Sequence, residues 1–409
     1  MQFLVTRNNR ILEGELKVPA SKSISNRLLI IQALCKKPFK IDNISDSEDT
    51  KVLIKALNSH SSVADIGHAG TSMRFLTAFF ASQTGEKILT GSQRMKERPI
   101  GNLVEALKSL GADINYSEKQ GYPPLHILGK QLEGGRVSID SSVSSQFISA
   151  LLLSAPTFKN GLVLELENKV ISSSYIELTC RMMEYMGVHV EKEKNCLRVS
   201  PQEYFARDIV VEGDWSGVSY WYQIAAFADK AELFIHSLQP NSFQGDARCA
   251  EIFDMLGIKT SYEPNGIRIK KMGILPKHFA YDFIESPDVV QTLAVTCVML
   301  HIPFRFSGTQ SLRIKETDRI AALQIELAKF GAKLLYSNDG VLEWNGELQK
   351  IKNNRINIHT YDDHRMALAF APIAMLGYEI VIENPQVVIK SYPEYWNDLK
   401  KMGFVVSED

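Results

Sequence analysis

A helix stop recurs along this chain at an almost constant interval. Five times a segment with helical hydrophobic periodicity ends in a large apolar residue and a glycine, and a short β-like run follows. These pairs are Leu110-Gly111, Met186-Gly187, Leu256-Gly257, Phe330-Gly331 and Met402-Gly403. The glycines lie 70 to 76 residues apart, and glycine just past the last helical residue is a common helix stop. A weaker sixth copy ends near Leu57-Asn58. Six α/β units of this length predict two halves of three units, because solenoid repeats are typically shorter.

The length and composition of the chain agree with a globular protein of two domains. It has 409 residues, which is long for one hydrophobic core. Apolar residues make up 45% and charged residues 23%, and the formal net charge is −1. This balance gives no indication of a nucleic-acid or membrane partner. A site for anions would therefore need a local concentration of cations.

The cysteines and the N-terminal segment indicate a cytoplasmic location. No C-x-x-C pair occurs, so free thiols in a reducing compartment are expected. The cysteines are Cys35, Cys180, Cys196, Cys249 and Cys297. The first residues have no signal-peptide pattern, and the longest apolar runs, such as 147–155, are too short to span a membrane.

Cations and hydroxyls are concentrated in residues 19–27, between a predicted strand (11–18) and an apolar helix-like run (28–34). This segment contains Lys22 and Arg27 among three serines. Free backbone N–H groups and the helix dipole favour an anion at a helix N-terminus. Two interpretations remain open from these residues: a phosphate-binding segment, or an N-cap with solvated charges.

Similar turns rich in Gly, Ser and Thr precede other predicted helices. They lie at 67–74, 141–146, 172–175 and 213–217, and the predicted helices are 75–81, 147–153, 176–186 and 218–228. Each turn alone is explained by helix capping. Repeated helix N-termini directed at one cleft would instead attract anions without much net charge.

The second half of the sequence adds further charged motifs. Lys315 and Arg319 are four residues apart, which predicts one helix face, although a solvated charged face has the same pattern. A carboxylate and histidine precede Arg365, but no second histidine stands at ligand spacing, so no metal is expected. Lys390 precedes Pro393 and by composition alone would be a surface lysine.

Seven motifs, taken in order, resemble those of the 5-enolpyruvylshikimate-3-phosphate synthase family, the enolpyruvyl transferases of the shikimate pathway. The resemblance covers essentially the whole chain. The motifs are Ser21-Lys22-Ser23 with Ser25-Asn26-Arg27, Ala69-Gly70-Thr71 with Arg74, Glu97-Arg98-Pro99-Ile100, Ser144-Ser145-Gln146-Phe147, Lys315-Glu316-Thr317-Asp318-Arg319, Asp363-His364-Arg365-Met366 and Lys390-Ser391-Tyr392-Pro393.

The resemblance implies a specific α/β fold. It has two similar domains of three β-α-β-α-β-β units each, an inside-out α/β barrel with buried parallel helices and outer sheets. The expected first domain is discontinuous (1–19 plus 215–409), and the second is 20–214. Hinges are expected near 19–21 and 213–216, with the active site in the cleft between the domains.

The resemblance also implies the reaction of aromatic amino acid and chorismate biosynthesis. The enolpyruvyl group of phosphoenolpyruvate moves to the 5-hydroxyl of shikimate 3-phosphate, and phosphate is released after addition and elimination through a tetrahedral intermediate. No metal or cofactor, no nucleic acid and no membrane is implied, and a monomer is expected. Two such substrates carry about five or six negative charges, for which eight matched cations are suitable. These are Lys22, Arg27, Arg74, Arg98, Lys315, Arg319, Arg365 and Lys390.

The motif positions imply individual roles. Residues matching the shikimate 3-phosphate side are Lys22, Ser23, Arg27, Ser144, Ser145, Gln146, Ser172, Asp288 and Lys315. Residues matching the phosphoenolpyruvate side are Lys22, Gly70, Thr71, Arg98, Gln146, Arg319, Arg365 and Lys390. Asp288 matches the acid that takes the 5-hydroxyl proton, Glu316 the proposed proton donor to the methylene carbon, and Lys390 and Lys22 could share proton transfer. Because a carboxylate among many cations stays ionised, Glu316 as donor is the weaker assignment.

Three positions depart from the family pattern. His68 stands where Asn is common, Phe75 where Pro is common, and Ser311 is the nearest match to a substrate-contacting Asn in a shortened loop. The shape beside the phosphoenolpyruvate site, and with it the degree of glyphosate sensitivity, is therefore not predicted, although Gly70 favours sensitivity.

Two alternative functions share some of these sequence features. A UDP-N-acetylglucosamine enolpyruvyl transferase usually has a reactive cysteine in a Gly-rich mobile loop, and no cysteine here has that setting. A non-catalytic binder of phosphorylated metabolites would keep the cations but would not need Asp288, Glu316 and Lys390 together.

Overall fold

The computed structural model describes residues 1–142, 144–168, 170 and 172–409. Val143, which belongs to one of the predicted turns, lies outside these residues. In the described part, the helices are α1 (Lys22–Leu34), α2 (Glu48–Asn58), α3 (Gly70–Ser82), α4 (Gln93–Lys96), α5 (Gly101–Ser109), α6 (Ser145–Ser154), α7 (Ser173–Tyr185), α8 (Trp215–Phe227), α9 (Cys249–Asp254), α10 (Val290–Met299), α11 (Arg319–Ala328), α12 (His364–Phe370) and α13 (Tyr395–Lys401).

The strands are short and alternate with these helices. They are β1 (Gln2–Thr6), β2 (Ile11–Lys17), β3 (Ile41–Asp42), β4 (Val63–Asp65), β5 (Gly85–Thr90), β6 (Asp113–Tyr116), β7 (Leu125–Gly129), β8 (Gly135–Asp140), β9 (Leu162–Glu167), β10 (Glu191–Glu193), β11 (Cys196–Val199), β12 (Ile209–Val210), β13 (Lys230–His236), β14 (Ile258–Glu263), β15 (Gly266–Lys271), β16 (Phe279–Asp282), β17 (Phe304–Ser307), β18 (Leu335–Ser337), β19 (Val341–Trp344), β20 (Arg355–Ile358), β21 (Glu379–Glu383) and β22 (Val405–Glu408).

The chain forms two compact units. The first unit is Met1–Pro19 with Glu212–Asp409, and the second unit is Ala20–Val211. None of the helices in the described part is long and apolar enough to cross a membrane.

Three four-stranded sheets make up the β-structure of the first unit, and all three share one topology. Their strand orders are β14-β15-β13-β2, β16-β17-β19-β18 and β20-β21-β1-β22. In each sheet one outer pair is parallel and the other two pairs are antiparallel. Strands β1 and β2 complete two of these sheets, so the first residues of the chain belong with its last half.

The second unit repeats the same topology in two sheets, β4-β5-β7-β6 and β10-β11-β9-β8. A third sheet pairs only β12 with β3, in parallel. Five of the six predicted units therefore have the full β-α-β-α-β-β pattern, and the sixth has two strands among the described residues.

The first helix of each repeat lies in the core of its unit. All ten residues of α10 and all seven of α12 are buried, as are twelve of the thirteen in α3. The second helices, such as α7, bury one face only. Strands alternate in the same way: in β13, Ala231, Leu233 and Ile235 point into the core. Each such buried leucine or isoleucine contributes roughly 1.5–3 kcal/mol to the free energy of folding. The first helices of the repeats, called the inner helices below, are buried on all sides and are therefore held most strongly.

The predicted helix stops are confirmed. All five glycines have positive φ angles, between 80° and 100°, which residues with a Cβ adopt only at a cost. The predicted strand over 11–18 is β2. The first predicted helix begins earlier than expected, at Lys22, so Lys22 and Arg27 lie within α1.

The prediction that Lys315 and Arg319 share a helix face is wrong. Asp318 is the N-cap of α11, and its side chain accepts a hydrogen bond from the Ala321 N–H at 3.1 Å, so the helix begins only at Arg319. Lys315 instead follows a short 3₁₀ turn, Gln310–Ile314.

We expect Gly331→Ala to destabilise the protein more than Gly377→Ala. Both glycines have φ near +88°, which costs alanine about 1–2 kcal/mol. A Cβ at Gly331 would also lie 2.1 Å from the Gln349 carbonyl oxygen, whereas at Gly377 nothing lies within 4 Å. In urea unfolding, Gly331→Ala should therefore lower the free energy of unfolding by roughly 1–3 kcal/mol more than Gly377→Ala does. Equal losses would show that the backbone angle alone matters.

Candidate functional site

The N-termini of four helices meet at one end of the second unit. Arg27 on α1 contacts Ser149 on α6 and Thr179 on α7, each within two turns of the start of its helix. Gln146 at the start of α6 donates to Thr71 Oγ1 at the start of α3, at 3.3 Å. The free N–H groups and positive dipole ends of α1, α3, α6 and α7 therefore face the same region, which favours anions.

Arg27 is a buried cation that holds these helices together. Its guanidinium donates to Thr179 Oγ1 at 2.8 Å, the Ser23 carbonyl at 3.0 Å, the Tyr175 carbonyl at 3.1 Å and Ser149 Oγ at 3.2 Å. Burial lowers the pKa of Arg27 to about 10, so the side chain remains charged at neutral pH. These contacts use four of its five N–H groups. The predicted role in substrate binding would therefore depend on the remaining N–H group or on rearrangement.

Phe75, one of the departures from the family pattern, packs against this cation. Its ring centroid lies 5.3 Å from Cζ of Arg27, within the range of a cation–π interaction. The aromatic residue thus supports Arg27 from α3. His68, another departure, lies 3.0 Å from Ser92 through Nδ1 and Oγ, just before α4.

Lys22 is oriented by a carboxylate that the sequence analysis did not identify. Its Nζ lies 3.1 Å from Asp49 Oδ2, and Asp49 is almost fully buried on α2. Ser23 lies beside Lys22 in the first turn of α1 and is half-buried. The Lys22–Asp49 pair places a partly exposed ammonium group at the N-terminal end of α1.

Gly70 gives the Arg98 guanidinium room against the first turn of α3. A Cβ at Gly70 would lie 2.6 Å from Nη1 of Arg98. Arg74 connects the two segments, since it donates to the Gly70 carbonyl at 3.3 Å and to the Pro99 carbonyl at 3.0 Å. Arg74 is buried, so its observed contacts hold Arg98 beside the helix N-terminus.

The predicted serines lie at the starts of α6 and α7. Ser144 is the N-cap of α6, and its Oγ accepts from the Gln146 N–H at 3.3 Å. Ser145 is the first helical residue and is buried. Ser172 precedes α7 in a left-handed conformation, with φ 57°. All three thus belong to the same group of helix N-termini.

A second cluster lies in the first unit, around Arg319. This side chain is 2% exposed, and its Nε lies 2.7 Å from Asp363 Oδ2. Its Nη1 lies 3.1 Å from Asp288 Oδ1, and its Nη2 lies 2.9 Å from Glu316 Oε2. Burial would lower the pKa of Arg319, but Asp363, Glu316 and Asp288 together raise it above its ordinary value. Three carboxylates therefore keep one buried cation charged.

Asp288 contacts two further cations in this cluster. Arg365 Nη2 lies 3.1 Å from its Oδ2, and Lys315 Nζ lies 3.7 Å from its Oδ1. Glu316 in turn lies 2.9 Å from Lys390 Nζ. Lys390 is mostly buried, unlike a typical surface lysine. The structure therefore brings together all six site residues that the sequence predicts in this unit.

Helix N-termini converge in the first unit as they do in the second. Asp363 caps α12, accepting from the Arg365 N–H at 2.9 Å, and also binds Arg319 at the start of α11. Ser219 in α8 lies 3.1 Å from Thr292 in α10, both within two turns of the helix start. The N-terminal ends of α8, α10, α11 and α12 therefore add the positive potential of their helix dipoles to that of the cations.

Sequence analysis missed several residues that contact predicted ones. Asp363 appeared in a motif but received no role, although it caps a helix and pairs with Arg319. The other missed residues are Asp49, Ser216, Tyr220 and Asp246. Asp49, Ser216 and Tyr220 reach Lys22 or Arg365 across 27 to 149 residues of chain, and Asp246 is connected to Arg365 through Ser216, so no local pattern indicates them.

Three of the five cysteines lack the features of a nucleophile. All five are free thiols, and Cys180, Cys249 and Cys297 are buried. Burial raises the pKa of each of these three thiols, to about 12 for Cys180, which disfavours the reactive thiolate. Within the described ranges, no group of three or more His, Cys, Asp or Glu side chains is arranged to hold a metal ion.

The sequence and structure are similar to those of known proteins. A family model described as EPSP synthase (3-phosphoshikimate 1-carboxyvinyltransferase) matches residues 6–59 and 54–399. The 3-phosphoshikimate 1-carboxyvinyltransferase of Bacteroides fragilis strain YCH46 is 48% identical over 405 residues, covering 99% of this chain and 98% of the relative. That of Vibrio campbellii is 34% identical over 433 residues, covering 98% of this chain and 100% of the relative.

A solved structure of EPSP synthase from Acinetobacter baumannii has the same fold. It has a TM-score of 0.80 at 20% sequence identity, and the match covers 100% of both chains. The predicted family resemblance and the predicted fold class are thus confirmed.

We expect Arg319→Met to destabilise the protein by roughly 3–5 kcal/mol, because it leaves buried Asp363 without its cation. The matched control is Arg305→Met, which breaks an exposed 2.8 Å ion pair with Glu343 and should cost less than about 1 kcal/mol. Urea unfolding of both variants at pH 7 measures the difference. Similar losses would mean that the buried pairing is not required for the fold.

Proposed function

This chain belongs to the EPSP synthase family, and from this premise we propose that the two side-chain clusters bind the two substrates of the family's reaction. The enzyme transfers the enolpyruvyl group of phosphoenolpyruvate to the 5-hydroxyl of shikimate 3-phosphate and releases phosphate. The product, 5-enolpyruvylshikimate 3-phosphate, belongs to aromatic amino acid biosynthesis. The observation that carries the site assignment is the convergence of four cations with Asp288 and Glu316 in the first unit.

Binding of the substrates is proposed to proceed by exchange of ion pairs. Lys315, Arg319, Arg365 and Lys390 each contact a protein carboxylate within 4 Å. A carboxylate or phosphate oxygen of a substrate can take the place of the partners of Lys315, Arg319 and Arg365, whereas Lys390 keeps its contact with Glu316. Each exchange breaks one charge-assisted hydrogen bond and forms another, so the affinity depends on the difference between the two, while the cost of desolvating the cations has already been met in the folded protein.

We assign phosphoenolpyruvate to Arg319, Arg365 and Lys390, with Arg98 and the backbone at Gly70 and Thr71. Guanidinium groups match the planar carboxylate of this substrate. Lys22 and Gln146 are proposed to contact both substrates, since they lie at the starts of α1 and α6.

Shikimate 3-phosphate is assigned to the hydroxyls and N–H groups at the starts of α1, α6 and α7, together with Asp288 and Lys315. The second-unit residues in this set are Lys22, Ser23, Arg27, Ser144, Ser145, Gln146 and Ser172. Ser311 is a further candidate, since its Oγ is buried and has no hydrogen-bond partner among the described residues. A substrate hydroxyl could satisfy it in place of the family's asparagine.

Asp288 is proposed as the base. Its carboxylate would accept the 5-hydroxyl proton while the hydroxyl oxygen bonds to the central carbon of phosphoenolpyruvate. The methylene carbon gains a proton to form the tetrahedral intermediate. Loss of a proton from that methyl group and departure of phosphate then give the product.

The Glu316–Lys390 pair is proposed to move the methylene proton. The ammonium group lies 2.9 Å from the carboxylate, so a proton can pass between them. The ammonium holds three protons, whereas a carboxylate beside two cations favours its ionised form. Lys390 is therefore the preferred donor, with Lys22 as the second ammonium group within the proposed substrate contacts.

We propose a cytoplasmic monomer without a metal or organic cofactor, and domains at 1–19 plus 215–409 and 20–214 that close on the substrates about hinges near 19–21 and 213–216. The buried thiols give no support for the UDP-N-acetylglucosamine alternative, and a non-catalytic binder would not require the Glu316–Lys390 pair.

We expect phosphate release only when both substrates are present, and no effect of EDTA. Asp288→Asn should lower kcat by about 10²–10⁴-fold, since the base is lost, while shikimate 3-phosphate still binds in calorimetry. The matched control is Asp229→Asn, an exposed aspartate paired with Arg10 at 3.1 Å, which should leave kcat unchanged. Absence of release with both substrates would contradict the proposed function, and full activity of Asp288→Asn would contradict its role as base.

We expect Gly70→Ala to raise KM for phosphoenolpyruvate by roughly 10–150-fold. The new Cβ would displace the Arg98 guanidinium, which is proposed to donate a charge-assisted hydrogen bond to this substrate. The KM for shikimate 3-phosphate should change less. Gly101→Ala is the control, since its Cβ would meet nothing closer than 3.4 Å. Initial-rate kinetics with each substrate varied in turn would test this, and equal effects on both KM values would exclude a specific role of Arg98.

A further inference from the structure

A buried carboxyl group outside the predicted site lies behind Arg365. Asp246 is 4% exposed and belongs to the turn before α9. Its Oδ2 accepts a hydrogen bond from Ser216 Oγ on α8. Ser216 Oγ in turn lies 3.4 Å from Nη2 of Arg365, the same atom that lies 3.1 Å from Asp288 Oδ2.

These contacts give a hydrogen-bonded chain with a defined direction. A guanidinium can only donate, so Arg365 donates to Ser216 Oγ. The hydroxyl proton of Ser216 then points to Asp246. The charge on Asp246 is therefore transmitted to Arg365 through one hydroxyl group, without direct contact between the two charged groups.

The groups facing Asp246 come from several elements. Asp214 and Ser216 lie at the start of α8, Arg365 lies on α12, and Asp288 lies before α10. Cys249 is the first residue of α9, directly after the turn that contains Asp246. Burial, followed by the charge of Asp288, raises the pKa of Asp246 to about 7, although Ser216 and Arg365 oppose the shift. The carboxyl group thus changes charge near neutral pH.

We propose that Asp246 is a positioning residue whose protonation state controls, through Ser216, how strongly Arg365 binds the substrate carboxylate. This inference rests on the proposed assignment of Arg365 to phosphoenolpyruvate. With Asp246 neutral, Arg365 keeps its full attraction for an anion. With Asp246 ionised, an additional negative charge lies behind Arg365 and opposes the substrate.

The same coupling acts in the opposite direction. An anion that binds Arg365 favours the neutral form of Asp246, because linked equilibria are reciprocal. Binding of phosphoenolpyruvate therefore draws one proton from water onto the Asp246 carboxylate at pH values above neutrality. No bond of the substrate changes in this step.

The test compares the wild type with Asp246→Asn, which is neutral at every pH. We expect KM for phosphoenolpyruvate to rise between pH 6 and 8.5 about tenfold more in the wild type than in the variant. Titration of the substrate's own phosphate affects both proteins equally, so the ratio of their KM values isolates Asp246. A ratio that does not change with pH would overturn the inference.

Two further variants distinguish positioning from a general structural effect. Glu251→Gln removes an exposed carboxylate on α9 and should keep the wild-type pH profile. Ser216→Ala keeps the acid but removes the connection to Arg365, and should reduce the pH dependence of KM. It also replaces Asp246→Asn as the test if that variant does not fold. A Ser216→Ala profile identical to that of the wild type would overturn the inference.

Unfolding at different pH values provides a readout that needs no substrate. The native pKa of Asp246 is above its unfolded value, so between these two values the native state holds a proton that the unfolded chain releases. Stability of the wild type relative to Asp246→Asn therefore falls as pH rises from 5 to 7. We expect the urea midpoint of the wild type to fall relative to that of Asp246→Asn over this range, and a constant difference between the midpoints would overturn the inference.

The two proposals fail in different ways. A wild type that releases no phosphate with both substrates contradicts the proposed function. Normal turnover with identical pH profiles of KM in the wild type and Asp246→Asn contradicts only the role of Asp246.

Discussion

Arg319 is a fully buried cation, and the organisation of the first unit's site depends on its pairing. Its guanidinium contacts Asp288, Glu316 and Asp363, which come from three separate segments. A buried charge without partners would cost several kcal/mol, so folding must bring these carboxylates together. Through them the remaining cations of the cluster are positioned as well. The fold therefore gathers the cations of this cluster before any substrate arrives.

The second unit uses a similar arrangement with different residues. Arg27 is buried among hydroxyl and carbonyl groups of three helices, and Lys22 pairs with Asp49. In both units the inner helices of the repeats present their N-termini to the charged residues. This explains how a chain with a net charge of −1 can provide strong local attraction for anions. The repeat places equivalent helix ends together, and a few buried cations add full charges.

Sequence analysis predicted the repeat and the inner helices because their signals are local. Glycine stops and apolar periodicity lie within one segment, and the left-handed glycines confirm them. Lys315 and Arg319 were wrongly placed on one helix because Asp318 caps the helix in between. Asp49 and Asp246 were missed because their partners are distant in sequence and no motif marks them. The predicted contact of Arg27 with substrate left out its four internal hydrogen bonds, which only packing in three dimensions reveals.

The most direct test of substrate binding by exchange of ion pairs is a crystal structure with shikimate 3-phosphate and a non-reacting analogue of phosphoenolpyruvate. The analogue's carboxylate should lie within hydrogen-bond distance of Arg319 or Arg365. The sugar phosphate should lie against the starts of α1, α6 and α7, with Asp288 beside the 5-hydroxyl. Ligands bound away from either cluster, with the Arg319 and Arg365 ion pairs unchanged, would contradict the proposal that substrates replace the internal carboxylates.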